Sequence, residues 1–131
     1  DKLMAAAKTL PEAQQGKYSD AIALAQKRGA WDGKLSGAPS LGLMEKIKIK
    51  VYDGAVYSKI RAGFGGRLRA FVSGGAALPP DVGALFLGVG IEVLEGYGLT
   101  ETSPVIAVNR PGDIRLGTVG APLPSCEVKI A

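Results

Sequence analysis

Apolar side chains recur at three- and four-residue intervals between about Leu41 and Ala62: Leu43, Ile47, Val51 and Ala55, joined by Met44, Val56 and Ile60. That spacing puts them on one stripe with the lysines largely elsewhere, and predicts a long amphipathic helix ended by Gly63 to Gly66. Two shorter helices are expected before it. Residues 2 to 9 are helix-compatible up to Pro11. A second segment, Asp20 to Arg28, has Ser19 as its N-cap, Lys27-Arg28 in its last turn and Gly29 as its stop. Gly33, Ser36, Gly37 and Pro39 mark residues 30 to 40 as an exposed connection.

Past position 66 the period changes from helix to strand. Leu68, Ala70 and Val72 alternate with Arg69 and Phe71 and run into Ser73-Gly74-Gly75, a short strand entering a glycine turn. Pro79-Pro80 then opens a helix to about Leu87, because proline's missing N–H would be unpaired in a first turn anyway, and Gly88 and Gly90 stop it. Ile91 to Leu94 form a second apolar strand ending at Glu95-Gly96-Tyr97-Gly98. The connection is too long for a hairpin and suits a right-handed crossover between parallel neighbours, so residues 68 to 98 read as a βαβ unit. The expected fold class is α/β: amphipathic helices, then a parallel βαβ unit, mainly helical over 1–66 and strand-rich over 67–131. Glu127 to Ala131 alternates as a strand still in progress, and the chain opens at Asp1 with neither Met nor a leader, so an internal piece of a longer protein is expected.

Composition narrows the chemistry. The 131 residues, 47% hydrophobic and 21% charged, fit one compact unit. No run approaches the roughly 18 apolar residues of a membrane-crossing helix. With Cys126 alone and no histidine, this chain cannot hold an internal disulfide, a Cys/His zinc cluster or a Ser-His-Asp triad. Residues 1–70 carry 13 Lys and Arg against 6 Asp and Glu, whereas residues 71–131 carry 3 against 6. The basic run reads first as the solvated side of a helix, and no nucleic-acid partner is expected. A membrane-surface module using the basic helix at 41 to 62 is the alternative from outside enzymology. The expected location is cytoplasmic, with peripheral contact at the inner membrane face.

In open parallel sheets ligands bind beyond the carboxyl ends of the strands, which here carry Ser73-Gly74-Gly75-Ala76 and Gly96 to Glu101. Both loops should face one crevice. Gly96 and Gly98 allow close backbone approach, Tyr97 offers a flat face to a purine, Thr100 a hydroxyl, and Glu101 a carboxylate suited to a hard cation such as Mg²⁺. On spacing alone the same string also reads as a strand-to-loop turn with a hydrogen-bonded threonine. Ser73 reads as a turn residue, because no histidine or nearby lysine activates it as a nucleophile. Gly117 to Gly120 reads as a structural turn, Trp31 and Tyr52 as packing residues, and Cys126 as a small buried or half-buried strand residue.

The string Glu95-Gly96-Tyr97-Gly98-Leu99-Thr100-Glu101-Thr102-Ser103-Pro104 resembles the signature of the AMP-forming adenylating enzymes, most closely their long-chain acyl-CoA synthetase branch. Three further blocks agree in order and spacing. They are Gly65 to Arg69 leading into Phe71-Val72-Ser73-Gly74-Gly75-Ala76-Ala77-Leu78, the Leu78-Pro79-Pro80 helix start, and Gly117 to Pro124. The resemblance runs from about Leu41 to Ala131. Residues 1 to 40 resemble more weakly the variable helical region of long-chain members. Ala77 stands where the family often has proline, a change that alters loop stiffness.

The resemblance implies a large N-terminal domain, of which this chain is a middle portion, and a small mobile C-terminal domain. It implies ATP, Mg²⁺ and coenzyme A, with a fatty acid as the group activated. The carboxylate attacks the α-phosphate to give acyl-adenylate and pyrophosphate, and the coenzyme A thiol then displaces AMP. By position, Gly74, Gly75 and Ala76 would wall the site beside adenine and the acyl carbonyl. Tyr97 would stack on adenine, Glu95 and Gly96 would touch the nucleotide edge, and Gly98 belongs to the same nucleotide loop. Thr100 would bond the α-phosphate and Glu101 would hold Mg²⁺. The family's phosphate loop, its ribose-binding acid and arginine, and its C-terminal lysine are not found in the chain, so these residues alone are expected to be inactive. Aryl-CoA ligases, luciferase-like enzymes and peptide-synthetase adenylation domains are the rival branches.

Overall fold

The computed structural model of the chain describes residues 12–102 and 104–130; the helix expected over residues 2 to 9 lies outside them. In chain order come α1 (Glu12–Asp32), α2 (Leu43–Tyr52), a wide helical turn (Asp53–Tyr57), α3 (Ser58–Gly63), β1 (Ala70–Ser73) and α4 (Pro80–Gly88). β2 (Glu92–Tyr97), a tight helical turn (Thr100–Thr102), β3 (Ala107–Val108) and β4 (Ala121–Pro122) follow.

Two expected helix-end signals are overridden in α1. Ser19 sits exposed in mid-helix, and Gly29 lies within the helix instead of after it. The reason is tertiary: Gly29 is where α4 crosses. A Cβ on Gly29 would lie 1.7 Å from the carbonyl oxygen of Ala84, and one on Gly88 would lie 1.8 Å from that of Ala25. Ala21, Ala25, Gly29 and Gly33 form a small-residue row four apart on α1, and Ala84 and Gly88 answer it on α4. Glycine's poor helix propensity, roughly 1 kcal/mol against alanine, is offset by the backbone contact it permits. The helix ends instead at Lys34, which adopts the left-handed conformation at φ 52°. There the Leu35 N–H donates to the Ala30 carbonyl at 2.9 Å and the Lys34 N–H to that of Trp31 at 3.1 Å, the paired bonds of a Schellman end.

The long helix expected over 41–62 is present as the rod α2, wide turn and α3. Within it the Ser58 N–H reaches back five residues to the Asp53 carbonyl. The first half of its apolar stripe does not face the core, whereas Val56 and Ile60 at its far end pack into it. Leu43 is 76% exposed, Met44 68%, Ile47 50% and Val51 64%, whereas Ile49, Tyr57 and Ile60 are buried. The rod is held by its other flank. Glu45 accepts the Gly42 N–H at 2.9 Å and pairs with Lys27 of α1 at 2.6 Å. The buried Tyr57 hydroxyl donates to the Ala21 carbonyl at 2.8 Å, and burial raises its pKa to about 12. Residues of a wide turn advance less about the axis than those of an α-helix, and this brings Tyr57 onto the face begun by Ile49. Arg61 ties the rod to the end of α4, donating to both Asp53 carboxylate oxygens at 2.8 and 3.1 Å and to the Val89 carbonyl at 2.7 Å.

β1 and β2 pair in parallel, with Ala70 opposite Glu92 and Ser73 opposite Glu95, and α4 is the crossover between them. β3 and β4 add antiparallel to give the order β1-β2-β3-β4. The architecture is α/β, as expected. One core cluster joins α1, the rod and Val89-Ile91, with Phe64, Phe71 and Phe86 meeting edge to face at 5.4–5.9 Å beside it. A second gathers Ala84, Leu94, Ile114 and Leu116. Leu116 fills the space left by two absent side chains, since a Cβ on Gly33 or Gly83 would lie 2.6 or 2.7 Å from it.

Three smaller expectations fail. Residues 127–130 form no strand, because an alternating segment needs a neighbour with free ladder groups and none of the described strands runs alongside it. Trp31 is 49% exposed and so is not a core packing residue. Cys126 is half-buried but lies after a turn, not in a strand. Tyr52 does pack, edge to face on Tyr57 at 6.4 Å.

Gly29→Ala and Gly88→Ala are each expected to lower stability by about 3 kcal/mol, because the new methyl meets backbone that cannot swing aside. Gly16→Ala, whose Cβ meets nothing within 4 Å, should raise stability by up to about 1 kcal/mol. Thermal unfolding of the three variants checks the contrast.

The Arg61 hydrogen bonds hold the Asp53 carboxyl below its ordinary 3.8. The stability this contributes is fully present above the unfolded-state value and is lost as pH falls through the folded one. The thermal midpoint should therefore drop as pH falls below about 4, and less steeply in Asp53→Asn. Identical slopes in the two proteins would contradict this.

Candidate nucleotide site

Adjacent parallel strands put their carboxyl ends at one edge. Because Ser73 is opposite Glu95, the chain leaves β1 at Gly74 beside Gly96, and a Cβ on Gly74 would lie 3.7 Å from the Gly96 carbonyl oxygen. Residues 73–76 and 96–101 thus begin side by side. Gly74, Gly75 and Ala76 are exposed, and Gly75 turns at φ 86°, where a side chain would be strained.

Glu95 behaves differently from the other candidates. It is only 7% exposed, and its carboxylate accepts the Leu78 N–H at 3.0 Å. Its backbone carbonyl accepts the Asn109 N–H at 2.9 Å. A buried carboxylate needs a donor, and here the donor is the far end of the first glycine loop, immediately before Pro79. Glu95 therefore fastens the 73–78 loop to β2, with its side chain turned inward.

The second loop is closed on itself. A Cβ on Gly98 would lie 1.6 Å from the Pro104 carbonyl oxygen, so the loop can fold back only over glycine. The Thr102 hydroxyl accepts the Leu99 N–H at 3.0 Å and lies 2.9 Å from the Leu99 carbonyl, while the Thr102 N–H donates to that carbonyl at 2.9 Å. Tyr97 is 49% exposed, and Thr100 and Glu101 are exposed at the head of the tight turn. Glu101 is thus solvated.

No group of three or more His, Cys, Asp or Glu side chains that could cage a metal occurs among the described residues. One exposed carboxylate beside a glycine loop suits an ion shared with phosphate oxygens. Mg²⁺ commonly keeps several waters and takes one or two carboxylates together with substrate phosphates.

Three residues have positioning roles that the sequence does not reveal: Glu95 with its carboxylate turned inward, Thr102 and Asn109. Asn109 is 2% exposed; its Oδ1 accepts the Arg115 N–H at 3.0 Å and its Nδ2 donates to the Thr118 carbonyl at 2.6 Å. It holds the 109–118 loop against the sheet. Gly117 and Gly120 turn at φ 76° and 77°, in keeping with the structural turn expected there. The only sequence signal for Thr102 was its place three residues after Leu99, where a hydroxyl can close a turn. A groove of about 700 Å³ lies away from these loops, between α1 and the rod, and is lined by Tyr18, Val51, Val56, Ile60 and Phe64 among others.

Comparison with known proteins bears on this geometry. Residues 3–131 match the family described as AMP-binding enzyme. The long-chain-fatty-acid–CoA ligase FadD15 of Mycobacterium bovis is 46% identical over 90 residues, 69% of this chain and 15% of that protein. The peroxisomal long chain acyl-CoA synthetase 7 of Arabidopsis thaliana is 48% identical over 80 residues, 60% of this chain and 11% of that one. Long-chain-fatty-acid–CoA ligase 6 of Rattus norvegicus is 41% identical over 81 residues, 61% of this chain and 12% of that one. The matched stretch thus amounts to only 11–15% of the length of these relatives. No solved structure gives a significant match. With the family match running from residue 3 to the last, through both glycine loops, the chain belongs to the AMP-binding enzymes.

Proposed function

We propose that the protein carrying this chain is a long-chain fatty acid–CoA ligase and that this chain is an internal piece of its N-terminal, adenylate-forming domain. The observation that carries the reading is the juxtaposition of two glycine loops at the carboxyl ends of β1 and β2, where an open α/β sheet receives its ligand. The names of the three relatives support the choice of fatty acid as the activated acid. The substrates would be fatty acid, ATP and coenzyme A. A fatty acid partitions into bilayers, so contact with a membrane surface belongs to the same reading.

The two chemical steps ask little proton chemistry of the protein. A carboxylate oxygen bonds the α-phosphorus as the bond to pyrophosphate breaks, and the thiol sulfur, giving up its proton to solvent, then bonds the acyl carbon as the bond to AMP breaks. Charge builds on phosphate oxygens in the first step, so positioned donors and a cation lower the barrier. In this reading the glycine edges of 74–76 let adenine and the acyl carbonyl lie against backbone, and Tyr97 presents its exposed ring to the base. The backbone of Glu95 and Gly96 borders the nucleotide while the Glu95 carboxylate keeps the first loop in register. Gly98 with Thr102 shapes the second loop so that the Thr100 hydroxyl can donate to the α-phosphate. Glu101 would hold Mg²⁺, which when bound would offset phosphate charge.

In the full-length protein, Thr100→Ala and Glu101→Ala are each expected to cut adenylation, read as fatty-acid-dependent pyrophosphate exchange, by about 100-fold or more. Near-wild-type exchange in both would remove these assignments. The 131-residue chain by itself is expected to support no exchange; turnover by it alone would show that no further segment is needed.

A further inference from the structure

We infer that the exposed face of α2 is a docking surface for an anionic lipid bilayer. The inference deepens the ligase reading by naming the membrane contact, and it rests on that reading only for the reason a bilayer matters.

At about 100° per residue, Leu43, Met44, Ile47 and Val51 cover roughly one quadrant of α2, and all four are at least half exposed. Lys46 and Lys50 flank that quadrant on one side and Lys48 on the other; all three are exposed, and none is ion-paired among the described residues. The inward face carries Ile49, which is buried, and Glu45, the helix's one carboxylate, drawn away by Lys27 of α1. The outward surface therefore consists of an apolar strip with positive charge on both borders, and the nearest acids of the rod, Glu45 near Lys48 and Asp53 near Lys50, are paired with Lys27 and Arg61. The strip continues through Val51 into the groove between α1 and the rod, whose lining includes Lys17 and Lys59.

A contiguous apolar patch with this rim has a specific physical complement. Apolar side chains enter the boundary between headgroups and acyl chains, while lysine stems lie along it and their ammonium groups reach anionic headgroups. No helix among the described residues is long and apolar enough to cross a membrane, so the contact lies in the plane of the surface. A protein partner would need acidic residues on both sides of a matching apolar ridge, whereas an anionic bilayer supplies negative charge all round. The charge pattern favours the bilayer.

The test uses the full-length protein with vesicles of phosphatidylcholine alone or with about one-third phosphatidylglycerol. Co-sedimentation is expected with the anionic vesicles at about 0.1 M salt and to be largely lost near 1 M, where screening shortens from about 10 to about 3 Å. Replacing the three lysines together (Lys46→Gln, Lys48→Gln, Lys50→Gln) should weaken partition on the order of 100-fold. Leu43→Asp with Ile47→Asp should abolish it. Thermal midpoints should move by no more than about 2 °C, and exchange activity on a short, water-soluble acid should be unchanged. Three results would overturn the inference: wild-type partition in either variant, no partition by the wild type, or a larger fall in thermal midpoint in the aspartate variant. The last would mean that the strip is already covered by the protein's own chain. Vesicle partition reads out the surface and pyrophosphate exchange the ligase, so failure of one is distinct from failure of the other.

Discussion

Two helices touch backbone to backbone where Gly29 of α1 lies under Ala84 of α4 and Gly88 of α4 lies under Ala25 of α1, and most of the chain is positioned from that contact. α4 is the crossover between the two parallel strands, so seating it on α1 determines where β1 and β2 stand. The same crossing opens the gap between Gly33 and Gly83 that Leu116 fills, and the Leu116 N–H donates to the Gly33 carbonyl at 2.9 Å. The segment after β3 is thereby fastened to the helices. Arg61 adds the third tie, from the rod to the Val89 carbonyl at the end of α4. Its planar fork binds both Asp53 oxygens and a carbonyl at once, an arrangement lysine's single ammonium group cannot copy.

From this scaffold the candidate site inherits its geometry. Loops that hold ligands gain precision from the rigid elements that present them, and here both glycine loops start from paired strand residues. The fastenings that follow are small and local: the Glu95 carboxylate on the Leu78 N–H, the Thr102 hydroxyl on Leu99, and the Asn109 amide between Arg115 and Thr118. Each satisfies polar groups that would otherwise be costly to bury or to leave loose. They leave Tyr97, Thr100 and Glu101 presented outward, which is what a substrate-facing edge requires.

The βαβ unit was legible because its signals are local: strand alternation, a proline pair at a helix start, glycines at the stops. The loop residues stood out only through the resemblance of the string Glu95 to Pro104 to a known signature, since on spacing alone the same residues read as a strand-to-loop turn. What was not legible depended on distant partners. Gly29 reads as a helix stop until Ala84 arrives from 55 positions further along the chain, and Lys34 ends the helix in a conformation usually left to glycine. The stripe of Leu43, Ile47 and Val51 has helical spacing, but periodicity cannot say which face of an amphipathic rod meets the core. That was decided by Tyr57, Ile49 and the Glu45–Lys27 pair on the opposite flank. Glu95 reads as a nucleotide neighbour by position, yet its carboxylate is spent on a backbone N–H that only the fold brings near.

Under the proposed function, the crevice between residues 73–76 and 96–101 receives an adenylate. A crystal structure of the full-length protein with a non-hydrolysable acyl-sulfamoyl adenosine tests it most directly. The adenine is expected against the Tyr97 ring, the acyl carbonyl beside Gly74 to Ala76 and the sulfamoyl group within hydrogen-bond reach of Thr100. An inhibitor seated elsewhere, with the two loops arranged as they are here and empty between them, would contradict it.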